Sequence, residues 1–195
     1  MEYKKNNQVK ILSLGKIDYS KCVDLQKKLQ KEIIDIKLFN RKNNLNKLTP
    51  NYLVIVEHDH VYTLGKSGNS ENLLYSKSEL KAKNIQFHET SRGGDITYHG
   101  PGQLVIYPIL DLENFFTDIH KYLRFLELAV INTLKDLNIQ SSNNPSKTGV
   151  WLDVGKISER KICAMGIKVS RWVTMHGLAL NVNCDLKFYN GIVPC

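Results

Sequence analysis

Ser91 to Pro108, SRGGDITYHGPGQLVIYP, is the stretch around which the remainder of the chain is organised. It holds four glycines and two prolines around two β-prone runs, Ile96-Thr97-Tyr98 and Leu104 to Ile109. Glycine lacks a Cβ and enters positive φ cheaply, so Gly93-Gly94 and Gly100-Pro101-Gly102 mark places where backbone turns tightly or approaches a ligand closely. The pattern predicts a pair of strands whose connecting loops present Arg92, His99 and several free N–H groups at one end. That is a cradle for a small molecule. A glycine-rich loop by itself is a weak motif, and a ligand-free glycine-rich hairpin is the alternative reading.

Upstream, Val9 to Leu14 reads as a short edge strand, and Cys22, Leu25, Leu29, Ile33 and Ile36 recur at helical spacing from Ser20 to about Arg41. Asn40 to Asn51 reads as a loop. Tyr52 to Glu57 is a near-continuous apolar run, expected of a strand covered on both faces, and Val61 to Leu64 is a second strand. Ser78 to Lys83 reads as a short helix and Ile85 to Glu89 as a strand leading into the cradle. Downstream, Asp111 to Phe116 is a turn, and Thr117 or Asp118 can cap a long helix carrying Ile119, Tyr122, Leu123, Leu126, Val130, Leu134 and Leu137. A loop is expected from Gln140 to Thr148, then strands at Val150 to Val154, Ile162 to Val169 and Leu178 to Val182. The expected architecture is a mixed α/β (α+β) domain with one sheet and helices mainly on one side of it.

With 195 residues, 42% of them hydrophobic, the chain suffices for one domain with a sizeable core. The N-terminus lacks an apolar export segment and no run of 18 apolar residues occurs, so neither membrane insertion nor secretion is expected and a cytoplasmic location is. Cys22, Cys163, Cys184 and Cys195 show no zinc-ligand spacing and read as reduced thiols. His58 and His60 share a strand face, but no third ligand is identifiable, so no metal is expected. Residues 1–47 hold 12 of the 27 basic side chains and 5 of the 19 acidic ones, which places nearly all of the net charge of +8 there. Such a face speeds encounter with acidic partners. No aromatic residues are interleaved as nucleic-acid stacking would need, so nucleic acid is not an expected partner.

Acyl transfer through a thioester needs a thiol nucleophile, a cation or base beside it and N–H donors for the oxyanion. Lys161 opens an apolar strand, where partial shielding lets its amine hold a thiolate and then accept a proton. By strand alternation Cys163 shares a face with Lys161, so the residues alone leave Cys163 and Cys195 both open as the nucleophile.

The string RGGDITYHGPGQ with the later Tyr107-Pro108-Ile109, Lys161-Ile-Cys-Ala-Met-Gly166, His176-Gly-Leu-Ala-Leu-Asn-Val-Asn183 and Val193-Pro-Cys195 together resembles the octanoyltransferases of lipoate biosynthesis, members of the biotin/lipoate protein ligase-like superfamily. The resemblance runs through nearly the whole chain, with spaced motifs in the family's order. It implies that Cys195 is the nucleophile and Lys161 the residue that lowers its pKa. It also implies a substrate site of Arg92, Gly93, Gly94, Asp95, Ile96, Thr97, Tyr98 and His99, with Ala164, Met165, Gly166, Gly177, Leu178 and Ala179. No cofactor is implied. The implied partners are acyl carrier protein and the lipoyl domains of 2-oxoacid dehydrogenases and glycine cleavage H protein.

An apolar acyl tunnel is expected; Tyr98, Leu104 and Trp172 are candidates for its walls, with ordinary core packing the favoured reading of each. Family members continue past the cysteine, so residues 1–195 are expected to be a single catalytic domain lacking a short C-terminal extension. An ATP-dependent lipoate or biotin protein ligase, a lipoyl amidotransferase and a non-enzymatic carrier-protein-binding module are the alternatives.

Overall fold

The computed structural model of the protein describes residues 5–194. Strand β1 (Lys10–Lys16) leads into helix α1 (Tyr19–Asn43) and returns to β2 (Tyr52–Glu57), which runs parallel to β1. The Asp18 carboxylate caps α1 by accepting from Lys21 N–H, and Asn44 ends it in the left-handed conformation at φ 51°. The same strand, helix, parallel-strand unit recurs on a smaller scale in β3 (Val61–Leu64), α2 (Lys77–Ala82) and β4 (Gln86–Glu89). Next come β5 (Ile96–His99), β6 (Gln103–Ile109), α3 (Ile119–Asp136), β7 (Ser142–Asn144), β8 (Lys147–Leu152), β9 (Arg160–Ser170) and β10 (Val173–Asn181). A 3₁₀ turn, Leu186–Gly191, follows.

Two sheets form where one was expected. The larger has the order β1-β2-β6-β10-β9-β8-β7, and the smaller is β4-β3-β5. The expected pairing of Ile96-Thr97-Tyr98 with Leu104 to Ile109 does not occur: β5 pairs with β3, whereas β6 pairs with β2 and β10. The cause is the apolar content of β5. Ile96 and Tyr98 bury themselves with Tyr62, Leu64, Leu80, Ile85 and Ile192 in a core belonging to the small sheet. The Gly100-Pro101-Gly102 link therefore carries the chain from one sheet to the other.

The helices also lie differently from the expectation. Cys22, Leu29 and Ile33 of α1 pack with Val54, Val105, Tyr107, Met175 and Ala179, while Val130 and Leu134 of α3 pack with Val150, Cys163, Leu178 and Leu180. Neighbouring residues of β10 thus enter different cores, so the two helices cover opposite faces of the large sheet. The buried side of α1 runs through Tyr19, Cys22, Gln26, Leu29, Gln30 and Ile33, leaving Leu25 and Ile36 at its margin. The stretch expected as a loop from Gln140 to Thr148 contains the hairpin β7–β8, closed around Asn144, whose Oδ1 accepts from Ser146 N–H and Oγ. Among the described residues no helix is long and apolar enough to cross a membrane.

The two sheets meet at glycines. Gly93 N–H donates to Ile167 O at 2.9 Å, bringing the 92–94 loop onto β9. A Cβ on Gly166 would lie 2.8 Å from Gly93 O, and one on Gly65 would lie 2.1 Å from Gly94 O. Gly166→Ala is therefore expected to lower stability by about 1–3 kcal/mol through overpacking. Urea unfolding would show it, and an unchanged midpoint would contradict the close approach.

Candidate active site

A cavity of about 920 Å³ opens where the small sheet lies against β9 and β10. Its wall includes Arg92, Gly93, Gly94, Asp95, Ile96, Thr97, His99, Lys161, Ala164, Met165, Gly166, Gly177, Leu178 and Ala179. These motifs are separated by up to 87 positions in the chain, and β-sheet register is what unites the last two. Gly166 pairs with Gly177, Ala164 with Ala179 and Met165 with Leu178 across β9 and β10. Four tiny side chains in two facing pairs leave open space, and Met165, Leu178, Leu123, Ile167 and Leu186 supply apolar surface around it.

Tyr98 is not part of that wall. Its ring is fully buried in the small-sheet core, stacked on Phe188 with centroids 5.3 Å apart. Leu104 and Trp172 are exposed and likewise do not line the cavity; Trp172 stands at the β9–β10 hairpin tip. Asp95 touches the cavity but its carboxylate is engaged, accepting from Asn72 Nδ2 at 2.5 Å and from the N–H groups of Ile96 and Asn69. It fixes the loop.

Arg92 reaches in from that loop. Its Nη2 donates to Thr63 O and Thr63 Oγ1, and Nη1 to Gly93 O. Only 8% exposed, the guanidinium is a buried cation on the cavity wall; burial lowers its pKa, but an arginine so held stays charged. Burial lowers the nearby imidazoles in the same sense, and these it leaves neutral. His99 donates from Nδ1 to Gln103 Oε1 at 2.8 Å, and burial holds its pKa down at about 3. His176 is held at about 4, first by burial and then by the Arg92 charge, and burial lowers His58 as well. His58 Nδ1 donates to Ile17 O and its Nε2 accepts from Tyr107 Oη, while His60 Nδ1 accepts from Tyr98 Oη. Among the described residues no cluster of His, Cys, Asp or Glu could hold a metal ion.

Lys161 stands half-buried on the wall, its Nζ 4.7 Å from the centroid of the Trp151 ring. Its stem runs past Gly149, which adopts φ 115°; a Cβ there would lie 2.5 Å from Cys163 O and 3.4 Å from Lys161 Cδ. Gly149 N–H donates to the carboxylate of Glu127, a residue of α3 only 1% exposed. Glu127, Gly149 and Trp151 thus form the seat of Lys161, and none was singled out from sequence. The apolar stripe of α3 runs through position 127, so an acid placed there was the available signal.

The thiols divide clearly. Cys163 is fully buried in the α3 core, and burial pushes it up to about 12. Cys22 is pushed up to about 11, and Cys184, which donates to Asn181 Oδ1, is also raised by burial. None of the three lines the cavity. Cys195 lies outside the described residues; Pro194, the residue before it, does line the cavity.

The sequence profile of the lipoyl protein ligase A/B catalytic domain matches residues 22–195. The chain belongs to that family. It is 60% identical over 190 residues to a protein named octanoyltransferase from Christiangramia forsetii, covering 97% of this chain and 81% of that one. An octanoyltransferase from Flavobacterium johnsoniae is 56% identical, covering 97% and 82%. Identity of this order over nearly the whole chain makes the protein an enzyme, an acyltransferase. The bipartite lipoate protein ligase of Thermoplasma acidophilum shares the fold, with a TM-score of 0.68, 19% identity and coverage of 96% of this chain and 67% of that one.

The buried histidines give a pH dependence. Their folded pKa values lie below the ordinary 6.5, so their neutral forms are compatible with folding above pH 6.5; below it the unfolded chain takes up protons that the folded one refuses. Between pH 6.5 and 5, stability should fall by about 2 kcal/mol for each of His99 and His176. Urea midpoints at pH 7.5 and 5.0 measure this, and equal midpoints would contradict the buried, neutral state.

Proposed function

We propose that the protein transfers an octanoyl group from octanoyl-acyl carrier protein, through a thioester on Cys195, to the lysine of a lipoyl domain. The observation that carries this reading is the meeting of Lys161, the 92–97 loop, the Gly166–Gly177 wall and Pro194 in one largely apolar cavity. The high pKa values of the other three thiols support Cys195 further. A thiol of ordinary pKa is a few per cent ionised at neutral pH, and a neighbouring ammonium raises that fraction about tenfold or more.

In the first step the Cys195 thiolate attacks the carbonyl carbon of the donor thioester. Peptide N–H groups around Gly166 and Gly177 stabilise the tetrahedral oxyanion; as it collapses the Lys161 ammonium protonates the departing sulfur, so the carrier leaves as its thiol, the acyl group stays on Cys195 and Lys161 is left neutral. In the second step the neutral amine of the acceptor lysine attacks the acyl-enzyme. Lys161 takes the amine proton, the Cys195 thiolate departs, and an amide remains. The thioester is already activated, so no nucleotide is consumed. Each methylene buried in the cavity contributes about 0.8 kcal/mol, so preference among neighbouring chain lengths is graded.

Mass spectrometry after incubation with octanoyl-acyl carrier protein and no ATP tests the reading. An octanoyl adduct on Cys195 is expected, absent in Cys195→Ser and formed about 10²-fold or more slowly in Lys161→Ala. Acylation that requires ATP would point instead to a ligase. The exposed lysines of α1, among them Lys21, Lys27, Lys28 and Lys31, favour acidic partners, so added salt should slow transfer through the association rate with kcat little changed. Stopped-flow acylation at two ionic strengths measures this, and a salt-independent association rate would remove the steering.

A further inference from the structure

Helix α1 sends two buried glutamines into β10. Gln30 Nε2 donates to Val173 O at 2.9 Å, and Gln26 Oε1 accepts from His176 N–H at 3.0 Å. The second contact meets an unusual piece of backbone. His176 has φ 62°, in the left-handed region that costs a residue with a Cβ about 1–2 kcal/mol. Yet the pairing of β10 with β9 continues through it without a register shift, from Met175 opposite Lys168 to Gly177 opposite Gly166.

The peptide there is turned so that its N–H points to α1. The other neighbouring strand does not hold this part of β10: pairing with β6 covers Leu178 to Asn181, and beyond it Pro108 lacks an N–H while its carbonyl accepts from Thr174 Oγ1. An unpaired buried N–H costs about 1–3 kcal/mol, so Gln26 offsets both the missing ladder bond and the strained φ. What this holds is cavity wall. His176 and Gly177 line the cavity beside Arg92, and Gly177 is wedged so tightly that a Cβ would lie 2.2 Å from Ile106 O.

We propose that Gln26 is a positioning residue for acyl transfer: its side-chain carbonyl holds the His176 peptide in the left-handed conformation and so fixes where the His176 ring and the Gly177 peptide stand in the wall. This rests on reading the cavity as the acyl site. Gln26 itself does not line the cavity. Its effect passes through the backbone of β10.

The internal control is Gln30, a buried amide on the same helix bonded to the same strand at Val173, three residues from His176. Gln26→Met and Gln30→Met each remove the buried hydrogen bond to β10 at similar volume, Gln26→Met also removes the long 3.9 Å contact from Nε2 to Cys22 Sγ, and Gln26→Glu restores an oxygen acceptor at position 26. The full chain of each variant is compared by urea unfolding, by kcat and KM for octanoyl transfer, and by exchange of the His176 and Gly177 amide protons. Both methionine variants should lose similar stability. Gln26→Met alone should lower kcat by about 10–100-fold with KM within a few-fold, as small misplacements in a site do. Exchange at His176 and Gly177 should accelerate by about tenfold or more in Gln26→Met and not in Gln30→Met. Gln26→Glu should recover part of both. Equal kcat losses in the two methionine variants, or unchanged exchange at His176 in Gln26→Met, overturn the role of Gln26. Absence of transfer by the unaltered protein overturns the acyl reading and this role with it.

Discussion

The contact on which the site depends is the hydrogen bond from Gly93 N–H to Ile167 O. It exists because Gly166, beside it on β9, has no side chain to hold the loop away, and because Gly65 lets β3 close up behind Gly94. Through this contact the small sheet delivers Arg92 and the 93–97 backbone to the face where Ala164, Gly166, Gly177 and Ala179 leave room. A larger residue at any of these points would fill the cavity or part the sheets.

Burial then sorts the reactive groups. The three described thiols and the imidazoles of His58, His60, His99 and His176 are pushed away from ionisation at neutral pH, because charge is disfavoured where water is excluded. Arg92 remains a buried cation because the Thr63 and Gly93 carbonyls accept hydrogen bonds from its guanidinium N–H groups. Lys161 is placed differently: its stem passes Gly149 and its Nζ lies over the Trp151 ring, a cation-π contact made at the cavity wall. Cys163, two residues away on the same strand, lies in the α3 core. The expectation from alternation that they share a face fails because of a bulge in the β8–β9 ladder: Val150 stands opposite Cys163 and the next residue, Trp151, opposite Lys161, so the thiol turns to the core and the amine to the cavity.

Most elements were legible because their periodicity is strong: β2 and β3 have the expected bounds, and the long helices end within two residues or so of where their stripes and caps place them. The division into two sheets was not, because strand partners depend on which core Ile96 and Tyr98 join, and that is decided by Leu80, Ile85 and Ile192 from elsewhere in the chain. The glycine motifs located most of the cavity wall. Tyr98 misled because its neighbours on either side, Thr97 and His99, do face the cavity. Gln26 and Thr63 were invisible for a common reason: each acts by satisfying backbone or a guanidinium brought near by the fold, and a hydrogen-bond partner distant in sequence leaves no local pattern.

The short link at Gly100-Pro101-Gly102 has a mechanical consequence. β5 ends at His99 in one sheet and β6 begins at Gln103 in the other, so four residue steps tether the two layers and can span no more than about 14 Å. The distance by which the two sheets can part beside His99, on the cavity wall, is therefore capped by covalent bonds, while elsewhere the wall is made of softer side chains such as Met165 and Leu186.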